Sequence, residues 1–142
     1  MLKCAIIYIM IVKSEKEMLE FGESFAKKLD FPAVIELIGD VGAGKTTFTR
    51  GLAKGLGILE PVTSPSFMIS KKYTFPSGIL THYDFYRLDE PGIMVEDLAE
   101  AMNEKSSVVV VEWGESAKDV LPEDRIKISI KYLEDGTREI SL

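Results

Sequence analysis

Cysteine is almost missing from this chain: Cys4 stands alone among 142 residues. A single thiol cannot close an internal disulfide, so nothing ties the fold to an oxidising compartment. Long hydrophobic runs are missing too. The apolar stretch Cys4 to Val12 falls far short of the roughly 18 residues that a spanning helix needs. As a signal peptide it has a thin basic region and no small-residue cleavage site before Ser14. Its β-branched content predicts a strand instead. A second reading makes Met10 the natural start and residues 1–9 an upstream-start extension. Excess positive charge is absent: 17 Lys and Arg stand against 23 Asp and Glu, a net charge of −6. Such a balance does not suit general binding to a phosphate backbone. No N/T-K-x-D sequence occurs, which disfavours a regulatory GTPase, and no repeat, low-complexity segment or linker divides the chain.

What is present suits one globular domain over residues 1–142. Hydrophobic residues make up 46% and charged residues 28%, which excludes disorder, collagen and coiled coil as global descriptions. A chain of this size buries about two thirds of its unfolded surface. Ser14-x-x-Glu17 is a capping box, with the Glu17 carboxylate reaching back to the Ser14 amide. Met18, Phe21, Phe25 and Leu29 then recur on one helical face, and Phe31-Pro32 closes the segment. Ala33 to Ile38 reads as a buried strand. Lys45 to Leu56 reads as a helix ended by Gly57. Strands are expected over Phe67–Tyr73 and Ile79–Tyr86, joined at Pro76-Ser77-Gly78. A helix follows over Glu96–Asn103, then a four-valine strand, Val108–Val111, buried on both faces. Ile126–Tyr132 alternates as a half-exposed strand, and Asp135-Gly136 turns it into Arg138–Leu142. The fold class is α/β, with a mixed, mostly parallel sheet flanked by helices and carrying antiparallel hairpins.

Gly39-Asp40-Val41-Gly42-Ala43-Gly44-Lys45-Thr46 matches G-x-x-x-x-G-K-S/T at every fixed position. Its glycines let successive amides point inward at phosphate oxygens. The following helix directs its positive end to the same place. Lys45 supplies a charge for the β- and γ-phosphates, and the Thr46 hydroxyl can ligate magnesium. A strand precedes the loop and an amphipathic helix follows, the context such a loop requires. The alternative is a glycine-rich turn without a ligand.

Magnesium chemistry also calls for a carboxylate at the end of a neighbouring buried strand. Glu112, straight after four valines, has that position; a solvated strand-end glutamate is the plainer reading. Trp113 follows it and reads first as a core or edge aromatic. Along the hairpin, His82, Asp84 and Tyr86 share one strand face, and Tyr83, Phe85 and Arg87 the other. Asp84 in so aromatic a strand suits orienting or deprotonating a water, or acting through magnesium-bound water. The lone histidine, His82, reads as structural. Val62-Thr63-Ser64-Pro65-Ser66-Phe67 offers hydroxyls before a strand, either a phosphate-sensing loop or a plain turn.

Taken together, G-D-V-G-A-G-K-T-T-F, S-P-S-F, H-Y-D-F-Y-R-L and V-V-V-V-E-W resemble the TsaE (YjeE) family in order and spacing, from about Met10 onward. The resemblance implies a P-loop NTPase fold, ATP or ADP with Mg²⁺, and a cytoplasmic bacterial setting without a membrane. It implies a role in threonylcarbamoyladenosine modification of tRNA at adenosine 37, beside the anticodon. It implies the partners TsaD and TsaB, whose complex is reset by hydrolysis, with tRNA met only through that complex. It assigns Lys45 to phosphate binding, Thr46 and Glu112 to magnesium, and Asp84 to hydrolysis. Gly39, Asp40, Val41, Gly42, Ala43, Gly44, Thr47 and Trp113 join the nucleotide site, with Ser14 near the base and Arg138 a further candidate. Two departures stand out: Ser66 where the family has Thr, and Met18 where many members have Thr.

Two other functions compete with an ATPase. A small-molecule P-loop kinase would use the same loop, but such enzymes need an arginine-bearing lid. This chain has four arginines, Arg50, Arg87, Arg125 and Arg138. A non-catalytic ATP-gated adaptor would act through differential affinity alone. No arginine is obviously placed as an internal finger, so the expected intrinsic rate is slow and raised by partners.

Overall fold

The computed structural model describes residues 8–65, 68–86, 92 and 94–142. Cys4, Ser66, Phe67 and Arg87, singled out in the sequence, lie outside the described residues. Among the described residues, seven strands form one sheet in the order β1-β7-β6-β2-β5-β4-β3. They are β1 (Ile9–Val12), β2 (Ala33–Ile38), β3 (Ser70–Phe75), β4 (Gly78–Asp84), β5 (Ser107–Glu112), β6 (Ile126–Tyr132) and β7 (Arg138–Ser141). The helices are α1 (Glu15–Lys27), α2 (Lys45–Leu56) and α3 (Met94–Asn103), with a short 3-10 turn at Gly114–Ala117. The four central strands, β6, β2, β5 and β4, run parallel, and the outer hairpin partners are antiparallel. This is the expected α/β class with a mostly parallel sheet.

Alternation along the strands divides the interior in two. Val108 and Val110 join Ile35, Leu37, Ile128, Ile130 and Ile140 on the face covered by α1 and α2. Val109 and Val111 join Tyr83, Phe85, Leu98 and Leu121 on the face covered by α3. All six residues of β5 are buried, which is why four consecutive valines fit there. On α1 and α2, Phe21, Phe25 and Phe48 meet with ring centroids 5.6–6.1 Å apart. The two helices approach until Gly51 lies against the Leu19 carbonyl; a side-chain carbon built there would sit 2.3 Å from that oxygen. Across the other face, the Tyr83 hydroxyl donates to Asp97 at 2.5 Å and ties α3 to β4.

Several local expectations shift. The Ser14 hydroxyl accepts from the Glu17 amide at 3.1 Å, but the Glu17 carboxylate accepts from Lys13, not from Ser14. Strand β3 starts at Ser70 because Ile69 has a φ of 69°, outside the extended region. Strand β4 ends at Asp84, two residues early, and Gly78 belongs to it, paired with Phe75. Helix α3 starts at Met94, and Glu112 is the last residue of β5 rather than its follower.

Candidate functional site

Three neighbouring parallel strands, β2, β5 and β4, end side by side. Leu37 and Asp84 are the register partners of Glu112. The glycine loop leaves the end of β2, Glu112 closes β5 and Asp84 closes β4, so Lys45, Asp84 and Glu112 meet at the C-terminal ends of these strands. This is where open α/β sheets bind ligands.

The loop takes the shape that its composition requires. Gly42 and Gly44 have φ values of 82° and 115°, which suit glycine alone. Asp40 O accepts from Ala43 N, and Gly44 O accepts from Phe48 N to start α2. The residues that open α2, whose first amides lack intrahelical partners, line a cleft of about 470 Å³. Ser14, Val41, Gly42, Gly44, Lys45, Thr46, Thr47, Asp84, Glu112 and Trp113 all line it, which unites most of the residues predicted from sequence. Gly39, Asp40 and Ala43 do not line it. Ala43 is buried in the core beneath the loop, and Gly39 acts through its carbonyl, which accepts from the Lys45 ammonium.

Lys45 is buried, and its ammonium lies 4.0 Å from the centroid of the Trp113 ring. Burial lowers its pKa from the usual lysine value, against the opposing pull of Glu112, Asp84 and Asp40. Trp113 is partly buried and packs against the core cluster beneath α3, an edge aromatic that also lines the cleft. It takes a left-handed backbone, φ 57° and ψ 46°, which turns the chain sharply after β5. Its ring meets Tyr86 at 4.9 Å. Asp84 is buried, and its Oδ1 accepts from the Tyr86 amide at 3.0 Å.

Arg138 reaches the loop from β7. Its Nε donates to Ala43 O at 3.0 Å and its Nη2 to Gly42 O at 3.3 Å. Its guanidinium also lies 4.6 Å from the centroid of the Tyr132 ring. Two loop carbonyls are thereby held by one guanidinium, and Arg138 itself lines the cleft.

Glu112 is buried, and its Oε2 lies 2.5 Å from His82 Nε2. His82 is thus buried and fixed, as its structural reading expects, and its partner is a cleft carboxylate. Glu15 and Tyr86 also line the cleft; Tyr86 is signalled only by sharing a strand face with Asp84, and no motif points to Glu15. Among the described residues no group of three or more His, Cys, Asp or Glu gathers as a metal cage. Magnesium that arrives with phosphates needs only one or two protein oxygens. The Thr46 hydroxyl and the Glu112 carboxylate, hard oxygen donors facing one cleft, fit that ion.

Comparison with known proteins gives a consistent answer. A family model described as "Threonylcarbamoyl adenosine biosynthesis protein TsaE" matches residues 12–140. The protein named tRNA threonylcarbamoyladenosine biosynthesis protein TsaE in Streptomyces coelicolor is 44% identical over 115 residues, 80% of this chain and 78% of that one. The Treponema pallidum protein of the same name is 37% identical, covering 93% of this chain and 97% of its own. The crystal structure of Bacillus subtilis YdiB superimposes with a TM-score of 0.80 at 35% identity, over 96% of this chain and 84% of that one.

Proposed function

The chain belongs to the TsaE family, and from that premise we propose that it is a magnesium-dependent ATP hydrolase for threonylcarbamoyladenosine formation on tRNA, acting on a TsaD–TsaB transferase complex. The observation that carries this reading is the convergence of Lys45, Thr46, Asp84 and Glu112 in one cleft at the start of α2. The relatives' names supply the tRNA pathway; the cleft supplies the chemistry.

In this reading the loop amides and the N-terminus of α2 hold the β- and γ-phosphates. Lys45 leaves the Gly39 carbonyl and the Trp113 ring to meet them, a move favoured because its charge is poorly solvated where it rests. Magnesium, when bound, neutralises charge on the phosphate oxygens; Thr46 and Glu112 would hold it. Asp84 orients the attacking water. The water oxygen bonds to the γ-phosphorus, the bond to the bridging oxygen breaks, ADP leaves with that electron pair, and the water's protons leave with the phosphate product and to solvent. The protein interior acts at a cytoplasmic pH through electrostatic stabilisation, and the acidic chain leaves tRNA contact to its partners.

Asp84→Asn tests this. ATP affinity by calorimetry should stay within about twofold, while phosphate release with the transferase partners present should fall about 100-fold. Unchanged release would remove Asp84 from the mechanism. Normal tRNA modification by that variant would favour the ATP-gated adaptor, and a phosphorylated metabolite made without partners would favour a kinase.

A further inference from the structure

The ring of His82 is completely buried in β4. A leucine would fill that strand position without any polar atom to satisfy, so a buried imidazole there calls for a reason. Among the described residues its hydrogen-bond partner is the Glu112 carboxylate, at 2.5 Å. The other ring nitrogen, Nδ1, is buried and has no hydrogen-bond partner among the described residues. An N–H at Nδ1 would be an orphaned donor, the costlier choice. The arrangement that avoids one puts the ring proton on Nε2, donating to Oε2 of Glu112.

This bond takes one of two carboxylate oxygens and leaves the other for the cleft. Glu112 ends β5, and the chain turns abruptly at Trp113 immediately afterwards. A glutamate side chain has three rotatable bonds, so without a tether it samples several directions at that edge. His82 is paired with Val110 in the sheet, two residues before Glu112. The contact is thus a diagonal one between β4 and β5, built on rigid elements rather than on a loop.

We propose that His82 is a positioning residue that holds the Glu112 carboxylate in the orientation used for magnesium, as an outer-shell partner does in other metal sites. This rests on the reading of the cleft as a magnesium–nucleotide site. It separates two neighbours on one strand face: Asp84 serves the water, and His82 serves the metal-directed carboxylate.

The experiment follows the fluorescence of Trp113, the single tryptophan, with a non-hydrolysable ATP analogue. Magnesium is titrated at fixed analogue, and analogue affinity is measured separately in EDTA. His82→Leu should weaken apparent magnesium affinity about tenfold and leave affinity in EDTA within about twofold. His82→Gln, whose amide N–H can reach Glu112, should return magnesium affinity to within about threefold of the wild type. Thermal unfolding checks each variant. Should His82→Leu fail to fold, His82→Asn, polar but too short to reach, should show the same loss. Equal magnesium affinity in the Leu (or Asn) and Gln variants would overturn the proposal, as would an equal loss in EDTA. A wild type whose analogue affinity ignores magnesium would overturn the parent reading and this one together.

Discussion

Replacing Gly51 by Ala tests whether the close approach of α1 and α2 is a real constraint. The added methyl would lie 2.3 Å from the Leu19 carbonyl oxygen and 3.0 Å from the Leu19 carbonyl carbon and Cα. Ordinary carbon–oxygen contact begins near 3.4 Å, so the helices must part by roughly 1 Å. The obstacle is helix backbone, which cannot rotate aside as a side chain can. Overpacking of this kind costs about 1–3 kcal/mol, and backbone contact argues for the upper end. Against it stands a gain of about 1 kcal/mol from replacing glycine inside a helix. The net expectation is a loss of about 2 kcal/mol. For a chain this long that corresponds to a fall in Tm of roughly 8 °C. Thermal and urea unfolding followed by circular dichroism measure it. Gly136→Ala is the control: the space around it is open but its φ is 88°, so only the left-handed backbone penalty of about 1 kcal/mol applies. Gly51→Ala as stable as the wild type would refute the reasoning, because propensity would then have outweighed the contact. The variant should also bind ATP less tightly, since Ser14, which caps α1, and Met18 on α1 both stand on the cleft wall and α2 begins at Lys45.

Two further outcomes follow from the loop. Lys45→Met should fold normally and lose ATP affinity by about 100-fold or more, the scale of removing a charge-assisted phosphate contact. It should also flatten a pH dependence. With its pKa lowered by burial, Lys45 makes the folded protein bind fewer protons than the unfolded chain between that lowered value and 10.5. Its contribution to stability therefore rises with pH across that window and is lost as pH falls through the lowered value. Urea midpoints from pH 7 to 10.5 should show a shallower rise in the variant. Arg138→Ala should weaken ATP binding about tenfold, by freeing the Gly42 and Ala43 carbonyls. Arg138→Lys should restore little, because one ammonium cannot reproduce the fork across both carbonyls and the stacking on Tyr132; calorimetry that finds full rescue would contradict this.

Much of the centre was legible from local chemistry. The limits of β2, α2 and β6 follow from an apolar run, a glycine loop, a closing glycine and an alternating strand. The phosphate loop came from spacing, Glu112 from its place after the valine strand, and Asp84 from its aromatic strand together with the family resemblance. What stayed hidden depends on strand order. That β4 lies beside β5, and so brings His82 to Glu112, is a consequence of topology. The same holds for the buried pair in which Arg125 donates to Glu36 at 2.8 Å, 89 residues apart in sequence. Backbone exceptions were also invisible: neither Ile69 nor Trp113 belongs to a residue type that favours positive φ. Tertiary packing imposes both, and each borders the cleft or the strand that carries Asp84.

The clasp of Arg138 on the loop has a consequence in time. Arg138 is made 95 residues after Ala43, whose carbonyl it holds. At a synthesis rate of about 5–20 residues per second, the loop waits roughly 5–20 s for its clasp. Strands β5 and β6, which flank β2, also emerge late. A nascent chain therefore carries its phosphate motif long before that motif is held in shape. On the proposed function, nucleotide capture would become one of the last steps of biogenesis, so ATP would steady the finished domain but not guide the early chain.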